Sequence, residues 1–207
     1  MIIASCSTDD FDRVIWREDT ENPGLPQYSE WGYNTFGAYI NGRVFTNADE
    51  DNDWEVNHSL VTSKDDILYI TLKSKNDEKW NDGTQSFSTI ISDSLTFAVP
   101  YKHIYEFSML DELNGKTFDL ASEDCTTIIK LNEGTNGKSA ILNVQSGYLD
   151  IKRVQILYVN GRKKEAVISG VFEAKTTVDI DGKERHFDIT EGRFDIGINS
   201  NQQIEID

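Results

Sequence analysis

Two short stretches of the chain place a tryptophan beside acidic residues. Asp53 directly precedes Trp54 in the first stretch, and in the second Trp80 is followed at the second position by Asp82. An indole face stacks on a sugar ring, and carboxylates accept hydrogen bonds from the sugar's hydroxyls. The pattern therefore predicts glycan binding, with the two indoles as stacking faces and the two aspartates as acceptors. The alternative is that both indoles fold back onto the edge of a sheet.

The residue types that catalysis needs do not occur in any recognisable arrangement. The sequence has no Gly-x-Ser-x-Gly, His-Glu-x-x-His or Gly-x-x-x-x-Gly-Lys motif. The three histidines, His58, His103 and His186, share no metal-ligand spacing. A glycosidase would need a pair of carboxylates, but acids are so abundant here that a pair can always be nominated. We therefore predict no catalytic residue, no metal and no cofactor.

Two features that resemble reactive or metal sites are better explained otherwise. Cys125 follows Glu123 and Asp124, whose charges raise the pKa of a thiol and make it a poor nucleophile. The acidic run at 49–53 alternates carboxylates as calcium loops do. It lacks glycine at the sixth position, however, and Leu60 stands at the twelfth where an EF-hand has glutamate. An EF-hand is excluded, and a solvated loop is preferred over an irregular calcium site.

The N-terminus carries the last residues of a pattern typical of lipoproteins. Residues 3–6 read Ile-Ala-Ser-Cys, which resembles the bacterial lipobox ending in a diacylated cysteine, Cys6. The alternative is a chance apolar start in a cytosolic protein. The acidic cluster that follows resembles a surface-export signal, with an ordinary linker as the alternative. Residues 1–33 are aperiodic and contain Pro-Gly, so we predict a tether that makes no core contacts up to about residue 30, pinned at most by Trp16 or Trp31.

Residues 34–207 are predicted to form a single all-β domain. Alternation around Asn41-Gly42 predicts a hairpin with a type I′ turn, and about a dozen short strands follow. Ser-Asp-Ser at 92–94 is predicted to be a turn, and a change of parity near Lys152-Arg153 predicts a β-bulge. The only helical expectation is a short one within 101–113. These patterns predict an antiparallel β-sandwich or a lipocalin-like barrel, with at most one short helix.

The hairpin and the end of this domain carry a family resemblance. Asn34–Phe45 reads NTFGAYINGRVF, and Ser169–Asp195 contains SGVFEA and DITEGRFD. Both are similar to segments of uncharacterised Bacteroidota envelope lipoproteins of all-β fold, a family with no assigned reaction. The resemblance implies secretion and a sheet fold.

Composition limits the partners further. The 207 residues carry a net charge of −16, which argues against nucleic acid and against anionic lipid. No apolar run reaches the ~20 residues of a membrane span. Together with the lipobox match and the family resemblance, these limits lead us to expect a monomeric, non-catalytic lipoprotein, held in the outer membrane by a lipid on Cys6, that binds a glycan or a partner protein. A structural component of an envelope assembly without a small-molecule site is the alternative, and a glycosidase-type hydrolase is less favoured.

Overall fold

The described part of the chain forms one antiparallel sheet that curls into a half-barrel. The structure is a computed structural model and describes residues 14–47, 59–74, 91–132, 138–159, 162–180 and 182–198. The prediction of an all-β antiparallel fold with at most one short helix is confirmed for these residues. The elements are β1 (Thr35–Ile40), β2 (Arg43–Thr46), β3 (Leu60–Lys64), β4 (Ile67–Lys73), β5 (Ile91–Pro100), a 3₁₀ helix (Phe107–Leu113), β6 (Thr117–Asp119), β7 (Thr126–Asn132), β8 (Lys138–Val159), β9 (Arg162–Ile180) and β10 (Lys183–Ile198).

The strand order divides the sheet into two halves that share β8. Across the sheet the order is β2-β1-β10-β9-β8-β7-β5-β4-β3, and β6 pairs separately with β8. Up to Leu142, β8 pairs with β7, and from Asn143 onward it pairs with β9. We call β2, β1, β10, β9 and the later part of β8 the terminal half-sheet. The middle half-sheet consists of β3, β4, β5, β7 and the earlier part of β8.

The core lies where the two half-sheets face each other. The rings of Phe97 on β5 and Phe172 on β9 pack with their centroids 4.9 Å apart, and Phe172 lies 6.4 Å from Phe194 on β10. Leu110 and Leu113 of the 3₁₀ helix are fully buried against the same cluster. Burying such side chains contributes about 1.5–3 kcal/mol each.

Local turn and bulge chemistry agrees with the sequence in several places. Asn41 and Gly42 have φ values of 51° and 74°, as a type I′ turn between β1 and β2 requires. The register of β8 against β9 shifts between Ile151 and Arg153, so the predicted bulge is confirmed. The bulge lets the strand keep its apolar side chains facing the core on both sides of the irregularity.

The predicted turn at residues 92–94 is wrong. β5 runs without a break from Ile91 to Pro100, and its register against β7 shifts between Ser92 and Ser94. The polar triplet, which predicted a turn, lies instead at a bulge within the strand. Register shifts also interrupt β8 and β10, and β8, β9 and β10 are each one long strand of 22, 19 and 16 residues, where the sequence predicted short strands.

The segment 14–33, which we call the strap, is packed against the sheet. Val14 is 1% exposed and Leu25 0%, so the prediction of a free tether is wrong for residues 14–30, which pack against the sheet although they lie outside the central core cluster. Leu25 and Pro26 lie over Gly37 of β1, where a Cβ atom would stand 2.4 Å from Pro26 Cδ. Of the two predicted pins, Trp31 does not hold the strap through its ring, since it is 75% exposed, whereas Trp16 is half-buried.

The strap is an irregular two-armed structure held by backbone hydrogen bonds. The Ile15 amide donates to the Tyr33 carbonyl at 2.8 Å, and the Asp19 amide donates to the Leu25 carbonyl at 2.8 Å. Residues 20–24 form the tip between the arms, and Gly24 has a φ of 81° there. Because few of its side chains carry the packing, the strap shows no hydrophobic period. No helix in the described ranges is long and apolar enough to cross a bilayer.

Candidate functional site

A row of polar residues crosses the outer face of the terminal half-sheet, opposite the core. Thr35 of β1 stands opposite Asp195 of β10, Asp195 opposite Ser169 of β9, and Ser169 opposite Arg153 of β8. The strap lies on this row. Thr35, Asp195 and Ser169 are at most 3% exposed beneath it, although they face away from the core.

Asp195 is the centre of the row because its carboxylate accepts four hydrogen bonds from the strap. The Ser29 hydroxyl donates one, and the amides of Trp31, Gly32 and Tyr33 donate the others at 3.1, 2.9 and 3.0 Å. Three successive amides that converge on one carboxylate form an anion-binding nest. A buried carboxylate costs several kcal/mol unless it is hydrogen-bonded, and this one is fully satisfied.

Arg193, two residues earlier on β10, holds the other arm of the strap. Its guanidinium forms ion pairs with Asp19 and, at 3.0 Å, with Glu191, while its side chain is only 9% exposed. The pKa of Asp19 is lowered, first by a hydrogen bond from the Asn22 side chain at 2.9 Å and further by the Glu21 amide and Arg193, against an opposing effect of burial. One strand thus anchors one arm through a cation and the other through an anion.

A partly exposed polar cluster borders the row at β8. Glu30 accepts a hydrogen bond from the Tyr28 hydroxyl at 3.0 Å and pairs with Arg153 at 3.1 Å. Burial raises the pKa of Tyr28 well above its ordinary value, and the negative charges of Glu30 and Asp195 add to this. The Tyr28 hydroxyl is therefore a neutral donor at any physiological pH.

The described residues bring no catalytic constellation together. Asp195 already has four donors, so it is not available as a base. Cys125 is a free, half-buried cysteine whose thiol pKa is raised by burial and by the charges of Asp119 and Asp124, as the sequence predicted for Asp124. His103 packs edge-on against Tyr105 at 4.5 Å. Within the ranges that the structure describes, no three metal-ligating side chains lie close enough to hold an ion.

Every site residue predicted from the sequence lies outside the described ranges. These residues are Cys6, Asp53, Trp54, Trp80 and Asp82, and the acidic run 49–53 lies outside as well. Their side-chain geometry is therefore not described. What the structure does describe is where the connecting segments 48–58 and 75–90, the tryptophan-bearing segments, join the sheet.

Both tryptophan-bearing segments join the middle half-sheet at the same end. Leu60, at the start of β3, pairs with Thr71 near the end of β4. Lys73, at the end of β4, pairs with Ser94 near the start of β5. Segment 48–58 therefore enters β3 beside the point where segment 75–90 leaves β4 and returns to β5.

Sequence reasoning missed the polar row and the two buried charges that hold the strap. Phe194, Ile196 and Ile198 alternate toward the core, and in an ordinary half-exposed sheet the residues between them would face solvent. The available signal was Gly192-Arg193-Phe194-Asp195, in which two opposite charges share a face at one strand's end. Without a cover predicted for that face, such charges indicate only a solvated surface.

Comparison with known proteins identifies no relative. No protein-family model matches the chain, and neither a curated protein nor a solved structure matches it.

Proposed function

We propose that the protein is a non-catalytic lipoprotein of the bacterial cell envelope that binds a glycan. Cys6 carries the lipid that holds it in the outer membrane, with the domain exposed at the cell surface. Trp54 and Trp80 supply the stacking faces for a sugar, and Asp53 and Asp82 accept hydrogen bonds from its hydroxyls.

The observation that carries the proposal is the common attachment of the two tryptophan-bearing segments. Strands β3, β4 and β5 are hydrogen-bonded neighbours, about 4.8 Å apart. Segments that attach at the same end of three adjacent strands have their bases within about 10 Å of one another. That spacing suits two stacking faces that serve one oligosaccharide.

The chemistry of the described residues supports a binding role over hydrolysis. A glycosidase needs one carboxyl group whose pKa is raised, opposite a second, ionised carboxylate. The most enclosed carboxylate, that of Asp195, instead accepts four donors from its own chain. Its role is to hold the strap.

A second function, an interaction component of an envelope assembly, is favoured by the ends of the sheet. β2 and β3 are the outermost strands in the order, so each has one side without a neighbouring strand of the described chain. Such edges accept a strand from a partner protein. This role needs neither indole.

Glycan binding is tested on the lipid-free chain by glycan-array screening followed by calorimetry. We expect Trp54→Ala and Trp80→Ala each to weaken binding at least about tenfold, because central aromatic anchors contribute about 2 kcal/mol or more. Trp31→Ala is the matched control, since it removes an exposed indole from a different part of the molecule. Equal binding by all three variants would refute the platform, and a wild type that binds no glycan would leave the interaction role.

The lipid anchor is tested separately by expression behind a full signal peptide. We expect the mature protein to begin at Cys6, to carry acyl chains by mass spectrometry and to partition into detergent. The Cys6→Ser variant provides the control and should stay in the aqueous phase. A wild-type protein that also stays in the aqueous phase would contradict the anchor.

A further inference from the structure

The strap exposes two large apolar side chains to solvent. Trp31 is 75% exposed and Ile15 37%, although the same segment buries Val14 and Leu25. The Ile15 amide donates to the Tyr33 carbonyl, so the two exposed residues lie on adjacent arms of the strap. A single exposed apolar residue needs no explanation, but apolar side chains grouped on one surface mark a place that meets a partner.

The backbone beneath Trp31 is fixed. The Trp31 amide donates to Asp195, and so do the two amides that follow it. Asp195 itself is 1% exposed on the last strand of the sheet. The backbone that carries the indole is therefore held in place, and this rigid base lowers the entropic cost of binding.

The length of chain before the strap limits how far this surface lies from Cys6. Cys6 precedes Val14 by eight residues. A fully extended chain spans at most about 3.6 Å per residue, so the strap begins no more than about 29 Å from the lipidated cysteine. Of the described chain, the strap is the part that directly continues this short connection.

The charges of the strap indicate which membrane surface it suits. Residues 14–33 contain one cation and four acids, namely Arg17 and Glu18, Asp19, Glu21 and Glu30. Two of the acids are paired with arginines of the sheet, Asp19 with Arg193 and Glu30 with Arg153. The remaining negative charge repels an anionic lipid surface and is tolerated by a zwitterionic one.

We propose that the strap is the face the protein turns to the membrane, with Trp31 and Ile15 entering the headgroup layer of a zwitterionic bilayer. Tryptophan suits this layer because its ring is apolar and its indole N–H finds a polar partner there. Apolar side chains of peripheral proteins enter about 5–10 Å into this boundary. The proposal rests on the lipid anchor at Cys6 proposed above.

The test uses lipidated full-length protein reconstituted into phosphatidylcholine vesicles with brominated acyl chains. A variant with Trp16→Phe, Trp54→Phe and Trp80→Phe retains Trp31 as its single tryptophan. We expect roughly twofold quenching of its fluorescence and a shift to shorter wavelength, since bromine near the boundary reaches an indole inserted to this depth. The control replaces Trp31 by Phe as well and adds Tyr105→Trp, at a position 62% exposed beside the middle half-sheet; its fluorescence should be unchanged.

Two further experiments distinguish the possible outcomes. Phosphatidylglycerol in the vesicles should reduce the quenching at low salt, and added salt should restore it. Hydrogen exchange on the wild-type protein, which needs no substitution, should show amides of the strap protected on vesicles and not in the Cys6→Ser variant.

Lipidated protein whose Trp31 is quenched no more than the Tyr105→Trp control would overturn the proposal and leave the lipid anchor standing. Protein without a lipid by mass spectrometry would overturn both, and strap protection that appears only when a partner protein is added would overturn the membrane assignment alone.

Discussion

The outer faces of the two half-sheets start from the same alternating pattern and end in different environments. On β10 of the terminal half-sheet, the outward residues Arg193 and Asp195 are 8% and 1% exposed because the strap covers them. On β4 of the middle half-sheet, the outward residues Tyr69 and Thr71 are only half-buried. The period of a strand fixes which residues face outward, but only a covering segment decides whether they are buried.

Polar groups that are buried need partners within the protein, whereas exposed ones do not. Beneath the strap, each buried charge is matched, Asp195 by four donors and Arg193 by two carboxylates. In the middle half-sheet, Thr71 and Thr96 share one hydrogen bond of 3.0 Å at a partly exposed position. Removing a hydrogen-bond partner beneath the strap leaves buried polar groups unsatisfied. On the outer face of the middle half-sheet, water can replace the lost partner.

The largest effect should follow from Asp195→Ala. It leaves a hydroxyl and three amides of the strap without their acceptor, and a buried charged network broken on one side costs about 3–5 kcal/mol. Urea unfolding and hydrogen exchange of the strap measure the loss. The matched control is Asp179→Ala, which removes one exposed bond to the Gly182 amide and should cost less than about 1 kcal/mol. Equal losses for the two variants would mean that the strap does not depend on Asp195.

A smaller effect is expected from Gly37→Ala, which tests the apolar contact of the strap with β1. The new methyl group would meet Pro26 Cδ and Leu25 Cδ2, so the strap must shift, at a cost of about 1–3 kcal/mol. The control Gly42→Ala meets no atom within 4 Å but sits at a φ of 74°, so its cost comes from the backbone alone. Hydrogen exchange of the strap amides should be faster than in the wild type only in Gly37→Ala. Equal exchange rates of these amides in both variants would argue against the packing.

Asn22→Ala should give a small, pH-dependent loss. The folded pKa of Asp19 is lowered, so its contribution to stability is fully present above the ordinary pKa of 3.8 and is lost as pH falls through the lower folded value. Because the Asn22 hydrogen bond is the largest cause, the variant should lose up to about 1 kcal/mol at pH 7, and the difference should shrink below about pH 4. Urea melts at both pH values measure this, with Gln27→Ala, at an exposed strap position, as the control. A loss that does not depend on pH would assign Asn22 another role.

The smallest change, of opposite sign, is expected in the middle half-sheet from Thr127→Val. Among the described residues, the Thr127 hydroxyl on β7 is the buried side-chain oxygen with no partner in the protein. Replacing it by a methyl group of the same shape should leave the stability unchanged or raise it by up to about 1 kcal/mol. A loss above that size in urea melts would show that the hydroxyl is satisfied in solution.

The sequence was informative wherever structure depends on local chemistry. The Asn41-Gly42 turn and the bulge before Arg153 follow from allowed φ values and from side-chain parity, and both are confirmed. The polar triplet 92–94 was misread because a bulge and a turn use the same residue types. Only the pairing of β5 with β7 across more than thirty residues distinguishes them.

The strap and its anchor were beyond sequence reasoning for a different reason. Its attachment uses backbone amides of residues 31–33, and every residue except proline has such an amide. Its partner, Asp195, lies more than 160 residues away. In the sequence, a carboxylate among alternating apolar residues looks the same whether water or a folded segment donates its hydrogen bonds. The site can therefore be recognised only in the structure, where residues 31–33 lie against Asp195.

The pairing of β1 with β10 also determines when the sheet can be completed during synthesis of the chain. Thr35 is synthesised about 160 residues before its partner Asp195, which at 5–20 residues per second is a delay of roughly 8–30 s. During that interval β1 has only β2 as a neighbour, and the amides that bind Asp195 have no carboxylate to meet. Such a chain cannot complete the sheet until β10 has been made, and non-local pairing of this kind folds in milliseconds to seconds rather than in microseconds.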